Sequence, residues 1–233
     1  MLDGPGFRLV RRPLGWDLAP AAVLRLVRGD AHPVALFGAW AGGSDVVASE
    51  PVLVRSAPAA FDEVLDAPFP CGTGAQEGPA GAQDAFGGAQ DAFGGGWIGY
   101  LGYSAGGEAL PVTGPRALPA WWFGYYDHVL HRERATGEWY FEALWTDDRA
   151  DTLEERLAEL SARTAAAPGG YLFSPFRLVP GADGHQEAVR RAVEYIRQGD
   201  IFQANVTLRA EAGFAGDPLD AFCSGAAALR PPF

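Results

Sequence analysis

Residues 183–211 change from a helical to a strand-like hydrophobic period across a single glycine. Apolar side chains at positions 189, 192, 193 and 196 have the i, i+3, i+4, i+7 spacing of an amphipathic helix. Gly199 follows the last of them, and glycine adopts at low cost the left-handed conformation that often ends a helix. Apolar and polar residues then alternate from Phe202 to Glu211, which predicts a strand with one apolar and one polar face.

The polar face of this predicted strand could bind a carboxylate-bearing ligand. Gln203, Asn205, Thr207 and Arg209 supply amides, a hydroxyl and a guanidinium, all of which donate hydrogen bonds. Alternate strand residues lie about 7 Å apart, so these side chains cannot all reach one small ligand. The periodicity alone favours the simpler interpretation, a strand with one solvated face.

Four motifs resemble those of the chorismate-utilising enzymes and occur in the same order. They are DVVASEP at 45–51, FGGGWIGYLGY at 93–103, WFGYYD at 122–127 and GDIFQANVTLR at 199–209. Within that family the sequence is most similar to component I of aminodeoxychorismate synthase, with anthranilate synthase component I as the near relative. The resemblance implies an α+β fold in which mostly antiparallel β-sheets pack together with helices outside. Runs of strands with interposed helices favour the same fold class.

The resemblance also implies an activity for a longer protein. That protein would replace the C4 hydroxyl of chorismate with an amino group, using Mg²⁺ and ammonia from a glutamine amidotransferase subunit, on the route to p-aminobenzoate and folate. The family's Pro-Ile-Lys-Gly lysine and magnesium-binding glutamates belong to a half that is absent from these residues. We therefore expect an N-terminal half that is inactive alone. The alternatives are anthranilate synthase component I, which aminates C2, and a non-catalytic module that binds a ligand or partner.

Gln203 is the candidate catalytic residue that the resemblance points to. Related isochorismate synthases have lysine at this position, thought to activate water, whereas an amide cannot act as a base. Glutamine therefore favours an enzyme that admits ammonia. Asn205 and Thr207 are weaker substrate-binding candidates, and Arg209 is equally well explained as an ion-pair partner.

A tryptophan pocket is a further feature that the resemblance implies, and Pro232 and Phe233 match one of its segments. A second segment aligns loosely with Leu36–Ala39, where alanine stands in place of the family's serine. The lost hydroxyl argues against tryptophan regulation.

Composition and spacing exclude several classes of function. A formal charge of −11 disfavours nucleic-acid binding, and no apolar stretch is long enough to cross a bilayer. Cys71 and Cys223 lie far apart, which predicts no structural disulfide and a cytoplasmic location.

Gly94–Gly99 fits G-x-G-x-x-G, but a strand-like segment follows it, so we reject a dinucleotide site. His128 and His131 would point to opposite faces of a strand and are therefore predicted to be core or edge residues, so no metal site is expected in this half.

The predicted organisation has three parts. Residues 1–167 form an N-terminal region, 168–182 a linker, and 183–233 the incomplete start of a chorismate-binding catalytic domain. Within the first part, 66–96 is a Gly/Ala/Pro-rich loop, predicted to be flexible, in which the heptapeptide GAQDAFG at 81–87 is repeated at 88–94. Helices are expected over about 18–28 with Asp17 as N-cap, over 151–166 with a Thr152–Glu155 capping box, and after Asp217-Pro218. Strands are expected at 33–40, 45–55, 97–103, 121–131 and 138–145.

Overall fold

The computed structural model of the chain describes residues 8–40, 44–57, 92–102 and 118–229. The chain divides into two compact units, Met1–Ala167 with Gly225–Phe233, and Pro168–Ser224. Cys71, residues 81–91 of the duplicated heptapeptides, Pro232 and Phe233 lie outside the described residues. The predicted linker at 168–182 stays a prediction.

Among its described residues before position 168, the first unit has two antiparallel sheets and two helices. The five-stranded sheet has the order β1 (Arg8–Pro13), β8 (Trp139–Trp145), β7 (His128–Arg132), β3 (Ser44–Ala48), β2 (Val34–Trp40). The three-stranded sheet has the order β4 (Leu53–Ser56), β6 (Trp121–Tyr126), β5 (Gly96–Leu101). The helices are α1 (Pro20–Leu26) and α2 (Ala150–Ala162).

The five-stranded sheet has apolar contacts on both faces. Val46, Ala48 and Val129 pack against Ile98 and Tyr126 of the smaller sheet. Successive strand residues point to opposite faces, so the neighbouring side chains face the helices. There α2 packs on β8, and α1 packs on β2 and β3. The predicted α+β class, with antiparallel sheets packed together and helices outside, is confirmed.

The expected single strand over 121–131 is wrong, because Asp127 divides it. The strand β6 ends at Tyr126, and β7 begins at His128 in the other sheet. The Asp127 carbonyl still accepts a hydrogen bond from the Leu144 N–H at 2.8 Å. Asp127 is therefore the point at which the chain passes from the smaller sheet to the larger one.

Gly99 allows β5 and β6 to approach closely. A Cβ atom added at Gly99 would lie 2.0 Å from the Trp122 carbonyl oxygen and 2.7 Å from the Phe123 Cα atom. The last four residues of the G-x-G-x-x-G pattern already lie in β5, so the pattern leads into a strand, as predicted, and its last glycine allows strand pairing.

The second unit contains two short antiparallel ribbons and the helix α3 (Ala182–Gln198). In one ribbon β9 (Tyr171–Phe173) pairs with β12 (Phe214–Gly216), and in the other β10 (Arg177–Val179) pairs with β11 (Arg209–Glu211). A further helix, α4 (Pro218–Leu229), begins in this unit.

Two helix ends in this part of the chain are confirmed. The helix α3 ends at Gly199, which has the left-handed φ of 84°. The Gly199 and Asp200 N–H groups donate to the Ile196 and Tyr195 carbonyls at 3.1 and 3.0 Å, which satisfies carbonyls at the helix end. At the start of α4, the Leu219 N–H donates to Asp217 Oδ1 at 2.8 Å.

The predicted strand from Phe202 to Glu211 is mostly wrong, since only Arg209–Glu211 forms a strand. A strand needs a backbone partner, and the three-residue β10 pairs with those three residues alone. Residues 201–208 have no regular secondary structure. The alternation of apolar and polar residues does not show whether a partner strand is present, and residues 202–208 have none in the described part of the chain.

Two helix starts also differ from expectation. The helix α1 begins at Pro20 rather than near Asp17, because proline fits the first helical position. The helix α2 has Arg149 as N-cap with no side-chain cap hydrogen bond and ends at Ala162. Thr152 lies inside this helix, so the predicted capping box cannot form. Among the described residues, no helix is long and apolar enough to span a membrane.

Candidate functional site

The three sequence-predicted ligand-binding residues lie on the irregular segment between α3 and β11. The side chains of Gln203, Asn205 and Thr207 are exposed. They make no hydrogen bond to another described residue, and none of them lines the cleft of the first unit. The structure thus places them on one solvent-accessible segment directly after the Gly199 helix end. Their catalytic and substrate-binding roles stay predictions.

Arg209 has a structural partner. Its Nη2 atom lies 2.6 Å from Glu211 Oε1 within β11. The other Glu211 oxygen pairs with Arg177, its register partner on β10. All three side chains are largely or partly exposed, so this ion-pair group contributes little to stability. Of the two interpretations of Arg209, the structure shows the ion pair.

Asp127 is the centre of a buried polar group in the first unit. Its Oδ1 atom lies 2.8 Å from His128 Nδ1, and its Oδ2 atom accepts a hydrogen bond from Arg149 Nε at 3.0 Å. Burial alone would raise the pKa of Asp127. The hydrogen bond from His128, together with the charge and hydrogen bond of Arg149, holds that pKa below its ordinary value. The carboxylate therefore stays ionised and connects β7 to the start of α2.

Arg156 connects α2 to the rest of the unit. Its Nη2 atom contacts Asp30 and donates to Ser49 Oγ at 2.8 Å, and its Nε atom donates to His128 Nε2 at 3.3 Å. Arg163 Nη1 adds an ion pair to Asp30 at 2.8 Å. Burial would raise the pKa of Asp30, but the hydrogen bonds from Arg156, Ser49 and Arg163 lower it below its ordinary value.

This polar group borders an open cleft of about 590 Å³ in the first unit. Its lining is mainly charged: Asp30, Glu50, His128, Arg149, Thr152, Leu153, Glu155, Arg156, Glu159, Arg163. Arg149, Arg156 and Arg163 are each paired with carboxylates. The cleft therefore holds an internally compensated ion network, which suits the attachment of a helix better than the capture of an anion. Of this lining only Glu50 belongs to a family-like motif, DVVASEP, and no shared pattern marks the other residues, because the lining comes from four separate segments.

Glu142 forms a second buried polar group on the opposite face of the large sheet. Its Oε1 atom lies 2.8 Å from His131 Nδ1 and 3.0 Å from Arg11 Nε. Its Oε2 atom accepts the backbone N–H groups of Phe93 and Gly94 at 2.8 and 2.9 Å. Burial would raise the pKa of Glu142, but His131 and the two backbone donors hold it below its ordinary value. Glu142 thereby fixes the glycine-rich entry to β5.

The two histidines behave as predicted. Both His128 and His131 are buried, and they use separate carboxylates, Asp127 and Glu142, on opposite faces of the sheet. Within the ranges that the structure describes, no three His, Cys, Asp or Glu side chains are grouped so that they could hold a metal ion.

Comparisons with known proteins agree with the family resemblance that the four motifs indicate. The family model for chorismate binding enzymes matches residues 61–233. The chain is 32% identical over 127 residues to an anthranilate synthase component I-like protein from Synechocystis sp., which covers 49% of this chain and 24% of that protein. It is 31% identical over 146 residues to aminodeoxychorismate synthase component 1 from Klebsiella aerogenes, which covers 59% of this chain and 30% of that protein.

The chain thus spans between about a quarter and a third of the length of the curated relatives it matches. The family match, in contrast, takes in most of the chain and includes the second, third and fourth sequence motifs. The chain belongs to the family of chorismate binding enzymes.

Proposed function

We propose that this chain is the N-terminal part of an aminodeoxychorismate synthase component I. In its longer form the protein replaces the C4 hydroxyl of chorismate with an amino group, and the product serves p-aminobenzoate and folate synthesis. The observation that carries the proposal is the family match over residues 61–233, which includes Gln203 within the 199–209 motif. An amide at this position cannot deprotonate water, which favours ammonia as the nucleophile.

Anthranilate synthase component I is the second candidate, because the relative from Synechocystis sp. is named an anthranilate synthase component I-like protein and has a similar identity. The two identities, 32% and 31%, differ too little to choose between amination at C2 and at C4. Ala39 in place of the family's serine, and the Gln203-Ala204-Asn205 sequence, favour amination at C4. A non-catalytic module that binds a ligand or partner is the third candidate.

The amidotransferase partner and the cytoplasmic location are parts of the same proposal. Chorismate amination requires ammonia, and a glutamine amidotransferase subunit is the source that the resemblance implies. The two widely separated cysteines suit a reducing compartment.

The chain cannot supply an amine nucleophile from a lysine side chain. All 18 of its Lys and Arg residues are arginines, so the sequence contains no lysine. Arginine stays protonated at physiological pH and is a poor nucleophile. The resemblance implies a covalent adduct of the substrate with the lysine of the family's Pro-Ile-Lys-Gly motif, and this chain has no lysine that could form it.

Magnesium is expected for the longer enzyme. In the part of the chain that the structure describes, no cluster of carboxylates and histidines is placed to hold a metal ion. These residues therefore do not fit a magnesium site, and we route no chemical step through the ion.

A chimera tests the proposal. The chain replaces the matched stretch of the Klebsiella aerogenes relative, and the chimera is incubated with chorismate, Mg²⁺ and ammonium. Chromatography with authentic standards then separates 4-amino-4-deoxychorismate from anthranilate. We expect 4-amino-4-deoxychorismate. Anthranilate would support the second candidate, and a folded chimera that forms neither product would support the non-catalytic module. The isolated 233-residue chain is the matched control and should form no product.

A further inference from the structure

The helix α3 has a clear apolar face and buries none of its side chains. Val189, Val193 and Ile196 are 39%, 40% and 42% exposed, and they follow one stripe along the helix. Helices in water gain most of their stability from packing such a stripe against other residues. The helix α3 therefore presents an apolar face that the described part of the chain covers only in part.

The opposite side of α3 is polar and internally paired. Arg190 pairs with Glu187, the Gln198 amide donates to Glu194 at 2.7 Å, and Arg191 donates to the Tyr195 hydroxyl at 3.0 Å. Contacts of this kind are those of a solvated helix surface. The polar side chains of α3 are thus paired with one another or exposed to solvent, whereas the apolar side chains need a partner surface to become buried.

The ribbon β9–β12 carries a second apolar surface in the same unit. Phe173 packs against Phe176 and Phe214, with ring centroids 5.6 and 5.2 Å apart. All three side chains stay exposed, with Phe173 at 49%. Aromatic side chains of this size are normally buried in a packed domain. In the first unit, in contrast, the large aromatic side chains of Trp139, Tyr126 and Phe141 are fully buried.

We propose that the apolar face of α3, defined by Val189, Val193 and Ile196, is a docking surface for the remaining part of a chorismate-binding domain. This inference rests on the proposed function. Large exposed apolar patches mark interaction sites in soluble proteins. The match covers only 24% and 30% of the two curated relatives, so more than two thirds of each lies outside it. The proposed occupant is this remaining polypeptide, which would contact the face of α3 through aliphatic side chains.

The charge of the chain favours this occupant over a lipid surface. At −11 the protein is repelled by anionic headgroups, and the polar side of α3 carries charges of both signs rather than a basic cluster. A second copy of the chain would bring two acidic molecules together and gains no charge complementarity.

Co-expression provides the test. The tagged chain is produced together with the segment that comes after the matched stretch in the Klebsiella aerogenes relative, and complexes are measured by affinity capture and light scattering. The variant Val193→Arg introduces a guanidinium on the apolar face. Gln198→Arg introduces the same side chain and the same charge change on the polar face and is the matched control. Circular dichroism checks that both variants keep their helices. If Val193→Arg loses helix content, Val193→Gln is used in its place.

We expect a 1:1 complex with the wild-type chain and with Gln198→Arg. Val193→Arg should weaken it by roughly tenfold or more, because an unpaired charge would be buried in an apolar contact. Equal capture of both variants would overturn the proposal. A dimer of the chain alone that Val193→Arg dissociates would identify a second copy as the occupant, and the absence of any assembly would exclude the surface. Amination by the complex is assayed separately, so a complex without activity refutes the proposed function and leaves the docking surface intact.

Discussion

Glu142 and His131 form a hydrogen-bonded pair inside the first unit, with 2.8 Å between Oε1 and Nδ1 and no solvent exposure of either side chain. The two residues lie on neighbouring strands, β8 and β7. The second carboxylate oxygen holds the backbone of Phe93 and Gly94. One buried acid therefore connects the large sheet to the entry of the small sheet.

Replacing Glu142 should destabilise the first unit strongly. In Glu142→Gln the side chain keeps its size, but it loses the charge that pairs with Arg11 and one of its acceptor oxygens. We expect a loss of about 2–4 kcal/mol in the free energy of unfolding, since a buried charged network is left incomplete. Urea denaturation measures it. Glu133→Gln is the control, because Glu133 also pairs with Arg11 but is partly exposed. Equal losses in both variants would contradict the structural role of Glu142.

Acid should unfold the chain through its buried carboxylates. The pKa values of Asp30, Asp127 and Glu142 are lowered in the folded protein. Below the ordinary carboxyl pKa of about 4, the unfolded chain then binds more protons than the folded one, so stability falls as the pH falls. The free energy of unfolding should hold between about pH 7 and 5 and decrease below about pH 4. Urea titrations at a series of pH values measure it.

The variant Asp127→Asn provides the matched test of that pH dependence. It removes one titrating carboxyl, so the variant should be less stable at neutral pH and should lose less stability on acidification than the wild type. An acid slope unchanged from the wild type would show that Asp127 does not contribute.

Gly99 should tolerate no side chain. In Gly99→Ala the Cβ atom would lie 2.0 Å from the Trp122 carbonyl oxygen, so β5 and β6 must separate. We expect a loss of about 3 kcal/mol or more, as for other overpacked sites. Gly29→Ala is the control, because a Cβ atom there has no neighbour within 4 Å, and it should change stability by less than about 0.5 kcal/mol. Thermal unfolding followed by circular dichroism compares the two. A change in Gly99→Ala as small as in the control would refute the close approach.

Gln203 should control the nucleophile in the longer enzyme. In the chimera, Gln203→Lys introduces a side chain that can act as a base, so we expect either loss of amination by about tenfold or more, or exchange of the C4 hydroxyl of chorismate for a hydroxyl from water. Gln198→Lys makes the same replacement five positions earlier, on the exposed face of α3, and should leave amination unchanged. Mass spectrometry of reactions run in water labelled with a heavy oxygen isotope distinguishes the outcomes, because a hydroxyl from water carries the label and unreacted chorismate does not. Normal amination by Gln203→Lys would remove Gln203 from the catalytic site.

Local backbone chemistry could be predicted from the sequence, and long-range pairing could not. The left-handed Gly199 and the Asp217 N-cap depend on a few adjacent residues, and both are confirmed. The strand expected from Phe202 depends on a partner strand, which alternation does not reveal. The two-residue period of a strand correctly predicted that His128 and His131 lie on opposite faces of the sheet. Asp127, the partner of His128, is its neighbour in the sequence and ends the WFGYYD motif, whereas Glu142 meets His131 only through the pairing of β7 with β8, which no motif indicates.

The anchoring of Phe93 and Gly94 by Glu142 has a consequence for the evolution of chain length. Both copies of the duplicated heptapeptide end in Phe-Gly, at positions 86–87 and 93–94. Whichever copy comes last presents the same two N–H groups to the carboxylate and enters β5 in the same register. Gain or loss of one seven-residue unit would therefore leave the two hydrogen bonds to Glu142 and the register of β5 unchanged. The number of residues ahead of β5 can then change without altering the strand pairing that follows it.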